Sequence, residues 1–444
     1  MKQRLAFIVL NYLRFVANKK IKKIKPIIIG VGGASGKTSL SNFIYLIFKK
    51  KYKVKQGKGK NSETGIPLDI LNLSVDNYTY SRWFLNLLKA PIKFFFDFEK
   101  YDFYVAEMGI DSPFEPKNMS YLLKIIQPDI AVLTNISFEH SVYFDPLVLD
   151  DDLETREENI LKLTAEQESL LLTSVSQKGW VILNIDDENI RKIKPNIKAQ
   201  IITVSKKEKE ADFYIEEIKN YVDEFLLIFK NEGKKYTLKI ENPLPEHFAY
   251  TFVNAIAVAK AGGIKIEDSI TTLEQDFYVP PGRMSVFKGI KDIIIIDSSY
   301  NNATLTPVLD LLNFIKDIGK QRRRVGIIGD MRELGTMSRA LHEEVARKML
   351  ETLDLAILVG PLSQQYMLPI LKRKNFPVFS FLNFTSAKDT IIEQIKPKDV
   401  VLVKGSQNTL FLERAVQMLL KNFSDIDKLC RRGEYWDRVR EKTL

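Results

Sequence analysis

The chain has 444 residues, 45% of them hydrophobic and 27% charged, a balance that excludes long disorder and a length that one hydrophobic core rarely serves, so at least two domains are expected. The single cysteine, Cys430, excludes an internal disulfide framework and a cysteine-built zinc site, and fits a reducing cytoplasm. The net charge of +10 is uneven: no Asp or Glu occurs from Met1 to Lys60, where lysines abound, which suits a polyanion (nucleotide phosphates, nucleic acid or an anionic membrane surface) or a plain solvated basic face.

Residues 1–25 form a basic amphipathic segment. Its apolar stretch from Leu5 to Ala17 is interrupted by Asn11 and Arg14, too short and polar for a membrane-crossing helix. A lysine run stands where a signal peptide has its small-residue cleavage site. A helix lying on a membrane surface and a helix packed on the first domain both satisfy this pattern. After Pro26, the β-branched run Ile27-Ile28-Ile29 stops at Gly30-Val31-Gly32-Gly33-Ala34-Ser35-Gly36-Lys37-Thr38-Ser39, and a helical stretch runs from Lys37 to Phe48. Strand, glycine turn and helix in that order read as a phosphate loop, a variant with valine at position 31. The glycines let backbone N–H groups close around phosphate oxygens, and the helix aims its positive end at them. Gly33, Ala34, Ser35, Gly36, Lys37, Thr38 and Ser39 are therefore the candidate ATP-binding residues. Lys37 brings a mobile charge to the β- and γ-phosphates, and the Thr38 hydroxyl is a magnesium ligand.

Further apolar runs predict strands over Phe103 to Glu107, Ile130 to Thr134 and Val181 to Asn184, with helices between them. That alternation predicts an α/β fold with a mostly parallel sheet covered on both faces. Glu107 and His140 sit at strand ends, where open α/β sheets bind ligands. A carboxylate and an imidazole there suit a magnesium shell around ATP, although a surface acid and a hydrogen-bonded histidine account for each alone. Alternation falters from Ile201 to Leu238, where Phe213 to Ile218 and Phe225 to Phe229 predict antiparallel edge strands. A helix over His247 to Ala261 leads to Pro280-Pro281-Gly282, the expected domain boundary. A second strand–helix series follows, with strands over Ile293 to Asp297, Val325 to Ile328, Ala356 to Val359, Val378 to Phe381 and Val400 to Val403, a smaller doubly wound, Rossmann-like domain. The expected organisation is thus a central ATP-binding domain over 26–283, a C-terminal domain over 284–423, and a charged, helical tail over 424–444.

The motifs in order, from the phosphate loop through Glu107-Met108-Gly109, Thr134-Asn135-Ile136 with His140, Leu183-Asn184-Ile185-Asp186-Asp187, Pro281-Gly282-Arg283, Asp297-Ser298-Ser299-Tyr300-Asn301, Gly329-Asp330-Met331-Arg332-Glu333-Leu334-Gly335 and Lys404-Gly405-Ser406, resemble the Mur ligase family over nearly the whole chain. Within the family the resemblance is to the branch that adds D-alanyl-D-alanine to a UDP-linked muramyl tripeptide. The resemblance implies ATP-dependent amide-bond formation through an acyl phosphate in cell-wall peptide synthesis. It makes Lys37, Thr38, Glu107 and His140 the phosphate and magnesium residues, Asn254 an adenine contact, Arg283 and Asp297 nucleotide contacts from the domain junction, and Asn301, Lys404 and Ser406 substrate contacts. It further implies that two domains close over the reactants and exclude water. Taken singly, Arg283 with Asp297 reads as an ion pair and Lys404 as a surface lysine.

Four departures stand out. The phosphate loop begins about thirty residues in, so the family's additional UDP-gripping N-terminal domain is expected to be absent, which turns attention to a lipid-linked or other anionic acceptor and to peripheral membrane contact through the N-terminus. Glu166, in Thr164-Ala165-Glu166-Gln167-Glu168, falls where many relatives carry a carbamylated lysine for a second magnesium; it either supplies equivalent oxygens or is an exposed helix residue. The Asp297 motif lacks the Asn-Pro that usually closes it, and Tyr250 stands where a histidine is common. Competing functions are a Mur-like ligase for a polyglutamate, cyanophycin-type or cofactor substrate, a phosphate-loop ATPase or kinase, and a nucleic-acid-binding protein. The last has no recognition helix or stacking motif to support it.

Overall fold

The computed structural model describes residues 2–57, 60–74, 80–137, 143–149, 152–221, 224–300, 305–406 and 410–441, the side chains of 2–5, 80–82 and 153 excepted. The chain divides into two compact units. Unit 1 comprises residues 1–217, 227–238 and 249–277, and unit 2 comprises 218–226, 239–248 and 278–444.

Unit 1 is organised by a nine-stranded sheet. Its strands are β1 (Ile27–Gly32), β2 (Val54–Gln56), β3 (Phe103–Glu107), β4 (Ile130–Leu133), β5 (Trp180–Asn184), β6 (Gln200–Ser205), β7 (Phe213–Asn220), β8 (Phe225–Asn231) and β9 (Lys234–Ile240), in the spatial order β2-β3-β1-β4-β5-β6-β7-β8-β9. The apolar, β-branched runs become its buried parallel centre, as strands covered on both faces require. Two register pairs set the site: Val31 lies opposite Glu107, and Gly32 opposite Leu133. The glycine turn that leaves β1 therefore emerges beside the carboxyl ends of β3 and β4. The expected edge strands form, with a difference. β7 pairs parallel to β6, while β8 lies beside β7 across a connection too short for a parallel crossover, closed by Tyr221 N–H donating to the Glu224 carbonyl, and β9 follows β8 through a turn at Glu232 and Gly233 with φ of 50° and 75°, the geometry a two-residue hairpin turn demands.

Five helices matter in unit 1: α1 (Lys2–Ile24), α2 (Lys37–Phe48), α3 (Tyr80–Phe96), α4 (Leu153–Thr173) and α5 (His247–Ala261). The α1 helix packs one face on the unit, burying Leu13, Val16, Ala17, Lys20 and Ile21. The α5 helix carries Phe252, which stacks on Phe43 of α2 with ring centroids 4.9 Å apart, so it backs the helix that follows the glycine turn.

Unit 2 holds a six-stranded sheet of β10 (Ser285–Lys288), β11 (Ile294–Ser298), β12 (Arg324–Gly329), β13 (Leu355–Val359), β14 (Val378–Phe381) and β15 (Val400–Lys404), ordered β10-β11-β15-β12-β13-β14. Five strands run parallel, and β10 adds an antiparallel edge that the sequence pattern did not announce. Its helices include α6 (Ser338–Thr352), α7 (Glu413–Leu419) and α8 (Glu434–Glu441). The charged segment after 424 is no solvated appendage throughout: Ile426, Leu429, Cys430 and Arg431 are buried.

Candidate active site

The glycine turn is held in shape by its neighbours. Gly33 has φ of 107°, and a Cβ there would lie 2.4 Å from Thr134 Oγ1, so only glycine fits. Gly36 starts α2 with φ of 82°. Ala34 N–H donates to the Asn135 carbonyl at 2.9 Å, and Ser35 N–H to Asn135 Oδ1 at 3.0 Å. Lys37 folds back, its Nζ donating to the carbonyls of Gly33 and Ala34 at 2.5 and 2.6 Å. The Thr38 hydroxyl donates to Glu107 Oε1 at 2.8 Å, and Glu107 is buried. Ser39 is buried one step further along α2.

These residues fit a magnesium nucleotide. A hydroxyl and a buried carboxylate in contact are hard oxygen donors, and magnesium takes one or two such ligands and fills its shell with phosphate oxygens and water. The first turn of α2 holds no acid, leaving the positive helix end for phosphates. Among the described residues no group of three or more His, Cys, Asp or Glu could hold a metal alone. His140, the third expected ligand, lies outside the described residues.

Glu166 is a correction. It is exposed, and the glutamate at the loop is Glu168, buried and accepting from Gly33 N–H through Oε2 at 3.2 Å. Helix geometry gives the reason. Thr164 and Glu168, four apart, share the face of α4 that lines a small cavity with Gly33, Ala34 and Lys37. A residue two positions from either points to the opposite side.

Behind the loop, Leu183-Asn184-Ile185-Asp186-Asp187 is a hub of hydrogen bonds. Asn184 Oδ1 accepts from Asp186 N–H at 3.2 Å. Asp187 accepts from the N–H of Ile136 at 3.0 Å, and burial raises its pKa against the pull of that and two helix N–H donors. Asp186 accepts from Ser205 Oγ, Lys206 N–H and Tyr250 Oη at 2.5, 2.6 and 2.7 Å. Burial would raise its pKa, and these donors outweigh it and hold the carboxyl below its ordinary value. Tyr250 thus has a structural partner at the position where the sequence departs from its relatives. Asn254 is buried, and its Oδ1 has no hydrogen-bond partner, an acceptor that the exocyclic amine of an adenine would satisfy.

Unit 2 carries the remaining candidates. Asp297 and Lys404, at the ends of paired strands β11 and β15, are wholly buried. Burial pushes the Asp297 carboxyl up to about 6 against its hydrogen bonds from Ser299. Burial, with the nearby Arg283 charge, pulls the Lys404 ammonium down to about 7, opposed by Asp297. Asp297 Oδ2 has no hydrogen-bond partner. Gly282, with φ of 72°, brings its backbone against Tyr300, where a Cβ would meet the Tyr300 Cβ at 2.5 Å, and the Arg283 guanidinium lies 5.8 Å from that ring. Ser406 Oγ accepts from Arg332 N–H at 3.1 Å, while its own N–H donates to the Asp330 carbonyl at 3.0 Å. Asp330 Oδ1 accepts from Ser363 N–H at 2.7 Å. His342 Nε2 accepts from Met331 N–H at 3.1 Å and Nδ1 donates to the Ser338 carbonyl at 2.6 Å, which fixes one neutral tautomer; burial lowers its pKa. The Gly329 to Gly335 motif is therefore braced by α6 through His342. Asn301 lies outside the described residues.

Sequence reasoning missed Arg431 and Glu413. They form a buried ion pair at 2.6 Å. Arg431 also donates to the Ser299 carbonyl at 3.2 Å and lies 5.2 Å from the Tyr300 ring, so it backs the Asp297 motif directly. One signal was available: Cys430 and Arg431 follow the apolar Leu429 inside an otherwise polar stretch.

Comparison with known proteins covers both units. Residues 31–261 match the Mur ligase middle domain, and residues 282–407 match the Mur ligase, glutamate ligase domain. The UDP-N-acetylmuramoyl-tripeptide–D-alanyl-D-alanine ligase of Borreliella burgdorferi is 23% identical over 407 residues, covering 90% of this chain and 76% of the relative. Its counterpart in Bacillus subtilis is 24% identical over 424 residues, covering 93% and 80%. Among solved structures, MurF from Acinetobacter baumannii superposes with a TM-score of 0.73 at 20% identity, covering 93% of this chain and 79% of that one. The MurF ligase from Thermotoga maritima in complex with ADP does so at 0.73 and 22%, covering 94% and 84%. These likenesses establish the fold.

Proposed function

The chain belongs to the Mur ligase family, and from that premise we propose that it joins a carboxylate to an amine at the expense of ATP, through an acyl phosphate, in cell-wall peptide synthesis. The observation that carries the reading is the Thr38–Glu107 contact of 2.8 Å at the mouth of the glycine turn, with Lys37 on the same turn. A hydroxyl and a carboxylate held together beside phosphate-binding N–H groups are what a metal–triphosphate complex needs, and what a structural turn does not.

The chain's residues divide the work. Gly33 to Ser39 seat the β- and γ-phosphates; Lys37 leaves its carbonyl partners to meet the γ-phosphate oxygens. Thr38 and Glu107, with His140, would hold magnesium, which when bound would offset the charge that gathers on the transferred phosphoryl group. Asn254 reads the adenine. In unit 2, Arg283 and Asp297 are assigned to the nucleotide, and Asn301, Lys404 and Ser406 to the amine-bearing substrate. The acceptor carboxylate oxygen bonds to the γ-phosphorus as ADP leaves. The amine nitrogen then bonds to the carbonyl carbon, phosphate departs with the former carboxylate oxygen, and the amine gives up a proton. A Lys404 whose pKa lies near 7 is suited to accept that proton near neutrality.

The relatives' names make a UDP-linked muramyl tripeptide and D-alanyl-D-alanine the first substrate pair to try, with a lipid-linked carboxylate and single amino acids as the alternatives. The first pair suits a cytoplasmic reaction, and a lipid-linked carboxylate would bring it to the membrane. The test is mass spectrometry of products after incubation with ATP, magnesium and these pairs. An amide product is expected from the native chain, and its loss by a factor of about a thousand or more from Lys37→Ala, which removes the phosphate-facing charge. ATP turnover without amide product, or full activity in Lys37→Ala, overturns the reading.

A further inference from the structure

Unit 1 exposes an apolar stripe that the phosphate chemistry does not use. On α3, Phe84, Leu85, Leu88, Ile92, Phe95 and Phe96 are all exposed, Phe96 at 73%, and Phe98 just beyond is 75% exposed. At 3.6 residues per turn these positions fall in one arc of the helix, about a third of its circumference. A helix of a soluble fold puts such an arc inside and polar residues outside; α3 does the reverse, burying Asn86.

The neighbouring helix α1 repeats the pattern. The two run side by side in the same direction, joined by Tyr12 Oη donating to the Leu87 carbonyl at 3.3 Å and by the Lys20–Asp97 ion pair at 2.8 Å. Ile8, Tyr12 and Phe15 are exposed, and the same face continues through exposed Lys19, Lys22 and Lys23. Lys23 Nζ lies 5.4 Å from the Phe94 ring and 5.6 Å from that of Phe98. A cleft of ≈ 450 Å³ opens at α3 with Lys89 and Lys93 in its wall. Among the described residues no helix is long and apolar enough to cross a membrane.

From this we infer that α1 and α3 together form a docking surface for the headgroup–acyl boundary of an anionic lipid bilayer. Exposed aromatic and aliphatic side chains bordered by lysines are the composition of helices that lie in that interface. The charge decides between occupants. No acid occurs from Met1 to Lys60, so a bilayer of negative headgroups complements the rim. A second copy of this chain carries the same net charge of +10, which opposes its approach. The inference is independent of the ligase chemistry and gives a reason for the reaction to sit beside a membrane.

The test is sedimentation of the full chain with phosphatidylcholine vesicles, with and without phosphatidylglycerol. Binding to the anionic vesicles and little to the neutral ones is expected, weakening as salt is raised. The combined Phe84→Ser, Leu88→Ser, Ile92→Ser and Phe95→Ser variant is expected to lower partitioning at least about tenfold, and Lys19→Glu, Lys22→Glu and Lys23→Glu together by at least as much. All seven side chains are exposed, and unchanged ATP binding shows the fold intact. No binding by the native chain overturns the inference, as does binding that survives both variants. So does a dimer seen by light scattering without lipid, abolished by the serine variant while vesicles are ignored; that outcome gives the face to a second copy.

Discussion

At the phosphate loop of unit 1 the functional groups hold one another: Lys37 rests on loop carbonyls, Thr38 on Glu107, and the loop N–H groups on Asn135 and Glu168. At the strand ends of unit 2 charge is buried first and partnered less completely: Asp297 Oδ2 and the Nε and Nη1 of Arg431 have no hydrogen-bond partner. The first arrangement costs little and waits for a ligand in a nearly finished shape. The second holds electrostatic cost in the fold, the kind of cost that clusters at functional sites.

Removing a charge in unit 2 should have the largest effect on stability. Glu413→Leu strands Arg431 in the core and is expected to cost about 3–5 kcal/mol in urea denaturation; an unchanged midpoint would mean the pair is not buried in solution. Lys404→Met should act the other way. Because the folded-state pKa of Lys404 is lowered to about 7 from 10.5, the folded state is penalised fully below pH 7 and the penalty fades as pH rises toward 10.5. The variant is therefore expected to gain about 1–4 kcal/mol at pH 6 and little near pH 10, while losing amide product. A gain that does not depend on pH would show that the buried ammonium carries no such cost.

Two smaller changes probe unit 1. Tyr250→Phe removes one donor from Asp186 and should cost about 1–2 kcal/mol at neutral pH. The folded-state pKa of Asp186 lies below its ordinary value, so this stabilisation is present above that ordinary value and is lost as pH falls through the folded one. Denaturation at neutral and strongly acid pH should show the loss converging. The smallest effect separates two glutamates: Glu168→Ala leaves Gly33 N–H without its acceptor and should weaken ATP binding about fivefold, roughly 1 kcal/mol, whereas Glu166→Ala should change nothing measurable by calorimetry.

What the sequence disclosed follows the physics of each element. The strand at Ile27, the glycine turn and the helix to Phe48 were legible because β-branched residues, glycines and apolar periodicity change at fixed points. That Thr38 and Glu107 belong together came from the family resemblance, and the sheet brings it about by setting Val31, just before the glycine turn, opposite Glu107. Glu166 misled because a count along the chain ignores the phase of the helix, and phase decides which glutamate meets the loop. Arg431 was hidden because a lone arginine in a charged segment reads as solvated; its burial depends on contacts with Glu413 and Ser299 far away in sequence. The α3 stripe had the spacing of an ordinary amphipathic helix, and only exposure revealed that the stripe faces outward.

The most direct measurement of the central claim follows oxygen. With both oxygens of the acceptor carboxylate replaced by a heavy isotope, the phosphate released during amide formation should carry one heavy oxygen, because that atom bonded to phosphorus before the amine attacked. Phosphate released without label, at a rate matching amide formation, would contradict the acyl phosphate and with it the role given to the loop before Lys37.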